Sequence, residues 1–157
     1  MITTEIPGFG TLNLAHLVLD YNGTLAVDGA LLPGVADLLN AIAGQLDVHV
    51  VTADTFGKAA DGLAGVACRL NVLPAGGRQD KAKVDIVEQL GAGQTVSIGN
   101  GRNDHLMLAA SALSIAVILR EGACMTSVNA ADIVCTDIHA ALELLIYPLR
   151  LTATLRF

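Results

Sequence analysis

Apolar runs that read as buried strands alternate along this chain with segments whose apolar residues recur at helical spacing. Residues 14–19 form the first such run and stop at Asp20. Pro33 then stands at the favoured first position of a helix, with Val35, Leu38, Leu39 and Ile42 at offsets 0, 3, 4 and 7. Residues 48–51 predict a second strand ending at Thr52, and residues 55–63 a weaker helix that carries Gly57 and Gly62. A third strand is expected over residues 66–73, before a Pro-Ala-Gly-Gly turn. Residues 80–90 read as a helix with Val84, Val87 and Leu90 on one face and Gly91 as its stop. Residues 95–98 predict a fourth strand, followed by a loop that opens a helix over 104–110. Short strands at 113–118 and 131–134 precede a last helix with Ile138, Ala141, Leu142 and Leu145 on one face. The tail from residue 150 to 157, with alternating Leu151, Ala153 and Leu155, reads as strand-like.

Strands alternating with helices specify an α/β fold: a three-layer, Rossmann-like parallel sheet with helices on both faces. No linker, repeat or low-complexity stretch divides it, so residues 1–157 are expected to form one domain. In such sheets ligands bind beyond the carboxyl ends of the strands. Three predicted strands end at Asp20, at Thr52 and at the loop from Gly99 to Asp104, and that is where chemistry is expected.

Composition narrows the function classes. Hydrophobic residues make up 53% of the chain and charged residues 15%, which is incompatible with disorder. A net charge of −6 without a Lys/Arg run argues against nucleic acid as a partner. The start lacks the basic and apolar segments of a signal peptide, and no apolar stretch approaches a membrane span. Cys68, Cys124 and Cys135 make no metal-ligand pattern and cannot all pair, which fits a reducing, cytoplasmic location. The low charge has two readings, an Ala-rich core or a surface buried against other subunits.

Asp20 opens a Gly-containing turn, Asp20-Tyr21-Asn22-Gly23-Thr24, and a carboxylate there can attack phosphorus. Thr52 offers a hydroxyl and an amide to a phosphate oxygen. Lys83 can neutralise phosphate charge, although Lys81 competes for the role and either lysine alone would pass for a surface residue. Gly99-Asn100-Gly101-Arg102-Asn103-Asp104 is glycine-rich, and its Asp104 also suits a helix N-cap. It lacks the third glycine of a dinucleotide fingerprint.

Together these four segments resemble the four motifs of the haloacid dehalogenase superfamily, above all the phosphorylation domain of P-type ATPases and its small soluble relatives. The Gly-Asp-Gly-x-Asn-Asp loop of that group is matched at five of six positions, and Lys83 to Leu90 fits its Lys-x-x-Ile-Val-x-x-Leu pattern. The resemblance implies a magnesium-dependent phosphatase or phosphotransferase that forms an aspartyl phosphate on Asp20. It implies magnesium ligands at Asp20, Asn22 (through its carbonyl), Asn100 and Asp104, the last directly or through water. It also implies phosphate contacts at Thr52, Ala53, Lys83 and Asn103.

Two residues depart from the pattern. Asn22 stands where most phosphatases of the superfamily carry the acid–base aspartate, and Asn100 replaces the first aspartate of the glycine-rich loop. An amide cannot exchange a proton usefully, so Asn22 predicts a preference for good leaving groups and a slow second step. Both changes also keep open a non-catalytic phosphate-binding or regulatory module. Of the histidines, His105 is expected to be structural or superficial, and His16, His49 and His139 incidental. Only 32 residues separate Asp20 from Thr52 and 31 separate Thr52 from Lys83, which leaves no room for the superfamily's inserted caps. A small flap hairpin over residues 26–32, with Asp28-Gly29 at its turn, is all that fits. The nucleotide-binding insertion of the pumps is missing too. The expected substrate is therefore a small phosphorylated molecule or a phosphorylated macromolecule, and the expected assembly a homo-oligomer, such as a tetramer, that helps to cover an open site.

Overall fold

A computed structural model describes residues 1–157. It begins with an antiparallel hairpin, β1 (Ile2–Ile6) and β2 (Gly10–Leu14). This hairpin was not expected, yet its pattern is readable afterwards. Ile2, Ile6, Leu12 and Leu14 are buried on either side of a Pro7-Gly8-Phe9-Gly10 turn. The apolar run from Leu14 is therefore broken at Ala15, and β3 spans His16–Leu19.

The flap follows as β4 (Ala26–Val27) and β5 (Ala30–Leu31), an antiparallel pair as expected. Next come α1 (Val35–Ala43), β6 (Asp47–Thr52), a single turn α2 (Ala59–Gly62) and β7 (Arg69–Val72). The helix expected from residue 55 shrinks to that turn. Asp54 and Gly57 both hold positive φ, and the Asp54 carboxylate caps the amides of Lys58 and Ala59 at 3.0 Å.

The chain continues through α3 (Gln79–Leu90), β8 (Thr95–Gly99), α4 (His105–Ala110), β9 (Leu113–Val117), α5 (Met125–Ala130), β10 (Ile133–Cys135), α6 (Ile138–Ile146) and α7 (Pro148–Leu155). The strand-like reading of the tail is overturned by α7. Leu151 and Leu155 satisfy both a period of two and an i, i+4 spacing, and Pro148 at the first helical turn decides for the helix.

Strands β3 and β6–β10 form one parallel sheet in the order β10-β9-β8-β3-β6-β7. From β3 the chain moves to β6 and β7 on one side, then returns to place β8, β9 and β10 on the other. The strand order thus reverses between β3 and β8, the crevice where ligands bind in such sheets. The register aligns the strand ends there: Leu19 lies opposite both Val50 and Ile98, so Asp20, Thr52 and Gly99 emerge at one rim.

Strand alternation feeds two cores. Leu17 and Leu19 turn with Val50, Val96, Ile98 and Ile115 toward α1, α6 and the N-terminal hairpin, a cluster of 29 buried residues. Val18, Val51, Val87 and Met107 form a smaller cluster beneath α3 and α4. Each fully buried side chain of this size contributes about 1.5–3 kcal/mol relative to exposure. No single helix is long and apolar enough to cross a membrane.

Candidate active site

The rim carries a turn that folds back on itself. The amides of Thr24, Leu25 and Ala26 all donate to the Tyr21 carbonyl, and Gly23 takes φ +79°. Glycine is needed at 23 for a second reason: a Cβ there would lie 2.4 Å from Asn100 Nδ2. The turn therefore presses directly against the loop after β8. Gly99 is constrained likewise, since a Cβ would come within 2.6 Å of the Asp104 carboxylate. Tyr21 is fully buried and donates its hydroxyl to the Gly29 carbonyl at 3.2 Å, which fastens the flap to the turn.

Beneath the rim lie three buried charges. Lys83 has no exposed surface, and its Nζ donates to Asp20 Oδ1 at 2.6 Å and to Asp104 Oδ1 at 2.7 Å. Helix geometry decides between the two lysines: Lys83 and Val87, one turn apart, face the sheet, whereas Lys81 points to solvent. Asp104 Oδ2 accepts the amides of Asn100 and Gly101 at 2.9 and 2.8 Å. Both Asp104 oxygens thus hold protein partners, and the residue clasps the glycine-rich loop while balancing Lys83.

Burial pushes the Asp20 carboxyl up to about 7, with the nearby Asp104 charge adding to it and Lys83 opposing it. Burial also works against the Lys83 charge, but Asp20 and Asp104 more than offset it and hold the ammonium above the ordinary lysine value. Two carboxylates and one ammonium leave the trio one positive charge short.

Above them opens a polar cavity of about 200 Å³. Six of the expected residues line it: Asp20, Asn22, Thr52, Ala53, Asn100 and Asn103. Lys83 and Asp104 do not line it. Asp104, expected as a metal ligand directly or through water, engages Lys83 and the glycine-rich loop with its two oxygens, which leaves only the route through water. Thr52 Oγ1 accepts the Asp54 amide at 2.9 Å, which leaves its hydroxyl proton free to donate. Asn103 Nδ2 donates to Gln79 Oε1 at 3.1 Å, and this pair separates the cavity from a wider polar cleft with Arg78, Arg102 and His105.

Four contributors were not singled out from sequence. Thr24 is buried and donates to Asn100 Oδ1 at 3.2 Å beside Asp20, while Thr55, Gln79 and Glu121 complete the cavity wall. Thr24 belongs to the motif and could have been found. Glu121 had no signal beyond a turn-prone Glu-Gly pair. His105 lies at the surface with Nδ1 2.7 Å from the Arg102 carbonyl, as expected of a structural residue. His139, by contrast, is not incidental: it bridges Asp137 and the Pro33 carbonyl. His16 and His49 meet edge to face at 5.8 Å on β3 and β6.

The donor set fits a hard divalent cation. Asp20, Asn22 and Asn100 line the cavity. Lys83 takes Asp20 Oδ1 and only Thr24 Oγ1, at 3.5 Å, approaches Oδ2; no backbone amide donates to the Asn22 carbonyl, and Asn100 offers an amide oxygen. These are oxygen donors with a single carboxylate among them, the kind of set that a hard divalent cation takes together with water.

No family model matches the chain. An uncharacterized protein of Methanocaldococcus jannaschii, MJ0073, is 42% identical over 84 residues, which span 51% of this chain and 90% of that protein. Among solved structures, the cobalt-bound deoxy-D-mannose-octulosonate 8-phosphate phosphatase of Haemophilus influenzae is similar with a TM-score of 0.71 at 19% identity, covering 90% of this chain and 92% of that one. The corresponding phosphatase of Moraxella catarrhalis, in complex with magnesium, phosphate and the sugar acid, gives 0.72 at 15% identity and 90% coverage of both chains. A haloacid dehalogenase-like family protein of Streptococcus pneumoniae gives 0.63 at 12% identity, covering 83% of this chain and 98% of that one. The chain thus belongs to one family with the archaeal protein and has the haloacid dehalogenase-like fold.

Proposed function

We propose that this protein is a divalent-cation-dependent phosphatase or phosphotransferase that transfers a phosphoryl group to Asp20. The observation that carries the reading is the buried Asp20–Lys83–Asp104 trio beneath a small polar cavity at the sheet's switch point. A carboxylate nucleophile needs a fixed orientation and nearby positive charge to meet a phosphate dianion. Lys83 supplies both. Two solved structures of similar fold are named as sugar-acid 8-phosphate phosphatases, one holding magnesium and phosphate and the other cobalt.

In this reading Asp20 Oδ2, the Asn22 carbonyl and Asn100 would hold magnesium, which supplies charge neutralisation at the transferring phosphoryl group. Thr52, the Ala53 amide and Asn103 orient its oxygens from the cavity wall. Lys83 favours the ionised form of Asp20 against burial and aims the carboxylate. The substrate is a small phosphorylated molecule whose leaving group lies toward the cleft of Arg78, Arg102 and His105. Asn22 donates no proton to that group, so stable leaving anions are favoured. Three free cysteines fit a reducing cytoplasm.

Magnesium should support phosphate release from an activated aryl phosphate, and EDTA should stop it. Asp20→Asn should abolish turnover without loss of fold. Equal release by Asp20→Asn and the parent would instead favour a binding or regulatory module, a reading that Asn22 and Asn100 support by removing two carboxylates.

A further inference from the structure

Asn22 leaves the second half of the reaction without a base. Water that attacks an aspartyl phosphate must lose a proton, and a positioned acceptor typically contributes about 10²–10⁴-fold. Besides Asp20, one carboxylate lines the cavity: Glu121. It lies in the loop between β9 and α5, far in sequence from every motif.

A set of hydrogen bonds holds it there. The turn closes by the Gly122 amide donating to the Leu119 carbonyl at 3.0 Å. Asn100 Nδ2 donates to the Gly122 carbonyl at 2.9 Å, and the Cys124 amide donates to the Asn100 carbonyl at 2.8 Å. An aspartate at 100 would have no N–H for Gly122, so this clasp depends on the amide side chain. From the flap, the Asp28 amide donates to Glu121 Oε1 at 3.0 Å, which leaves Oε2 without a protein partner. The cavity of about 200 Å³ is the space of several waters at ~30 Å³ each, and Asp20 and Glu121 both line it, so water held there has access to both carboxylates.

We propose that Glu121 is the general base for the water that releases phosphate from Asp20, replacing the carboxylate that Asn22 lacks. The inference rests on phosphoryl transfer to Asp20. In the step, the water oxygen bonds to phosphorus while one of its protons passes to Glu121. The bond from phosphorus to Asp20 breaks, and its electron pair returns to the Asp20 carboxylate. Inorganic phosphate departs, and Glu121, exposed on its outer side, returns the proton to solvent. The two asparagines then act as a pair: position 22 gives up a carboxylate, and position 100 gains the N–H that seats another.

Glu121 could instead be only a latch for the flap, and Glu121→Gln separates the two roles. The amide oxygen still accepts the Asp28 N–H, but it cannot take a proton. Rapid-quench kinetics with an aryl phosphate and magnesium should show an intact burst of the aryl alcohol. Steady turnover after it should fall about 10²-fold or more. Adding Asn22→Asp to Glu121→Gln should restore most of the steady rate. Unchanged turnover in Glu121→Gln, or burst and steady rate falling together, would overturn the role. Asp20→Asn run beside it keeps the two claims apart. Phosphate release by that variant at the parental rate would remove the phosphoryl-transfer reading itself.

Discussion

A lysine without exposed surface between two carboxylates is a costly arrangement. Desolvating three charges works against stability, and an apolar replacement of the whole set is often neutral or stabilising. Removing Lys83 is another matter, because it strands two buried carboxylates at a cost of about 3–5 kcal/mol, whereas Asp20→Asn leaves Lys83 paired with Asp104. The trio is therefore better understood as chemistry than as a fold determinant. Its net deficit of positive charge, which adds to burial in raising the Asp20 carboxyl, is what a divalent cation would offset. Asn22 gives the sharpest test at this scale. Asn22→Asp should raise turnover of an alkyl phosphate by roughly 10²-fold, with a smaller gain for the first step on an aryl phosphate. Steady-state kinetics on one of each, for parent and variant, checks this. A gain of equal size on both would mean that position 22 does not serve the leaving group. Asp20, Thr52 and the glycine-rich loop were legible because strand ends mark themselves by where apolar runs stop. The burial of Lys83 was not legible from its own helix, where Lys81 stands two residues away and only the packing of Val87 fixes the inward face. Glu121 was invisible because it is placed by bonds from residues 28, 100 and 122, which no local pattern links.

Among the elements, α6 carries a pH-sensitive start. Asp137 caps it by accepting the amides of His139 and Ala140, and His139 Nδ1 lies 2.8 Å from the same carboxylate while Nε2 lies 2.7 Å from the Pro33 carbonyl before α1. The Asp137 hydrogen bond, then the Pro33 carbonyl, raise His139 above its ordinary 6.5; the same His139 bond lowers Asp137 below its ordinary 3.8. The signs follow from linkage. The histidine's contribution is fully present below pH 6.5 and is lost as pH rises through its higher folded value. The aspartate's is present above pH 3.8 and is lost as pH falls through its lower folded value. Thermal unfolding of His139→Gln should therefore match the parent more closely at pH 8 than at pH 5.5. A difference that widens with rising pH would contradict the clamp. Most long elements were readable from apolar spacing. The failures were short or ambiguous: α2, where Asp54 and Gly57 turn the backbone, and α7, whose leucines fit two periods at once.

At the scale of the molecule, the sheet ends in two parallel edges, β7 and β10, each with an exposed valine, Val72 and Val134. Leu149 and Phe157 add exposed apolar surface near the C-terminus. Edges and patches of this kind invite a partner. The proposed homo-oligomer should appear in light scattering as a multiple of 16.2 kDa; a mass of 16.2 kDa across micromolar concentrations would exclude it. Sequence spacing anticipated the lack of an inserted cap, since the stretches on either side of Thr52 hold only the flap, α1, α2 and the sheet strands β6 and β7 before α3 begins. The claim that ties residue, element and sheet together is that the switch-point carboxylate becomes phosphorylated. Its most direct measurement is mass spectrometry of protein acid-quenched during turnover of an acyl phosphate with magnesium. A phosphate adduct on the peptide that holds Asp20, lost with EDTA and in Asp20→Asn, is the expected result. Steady phosphate release without any adduct on that peptide, undiminished in Asp20→Asn, would contradict it.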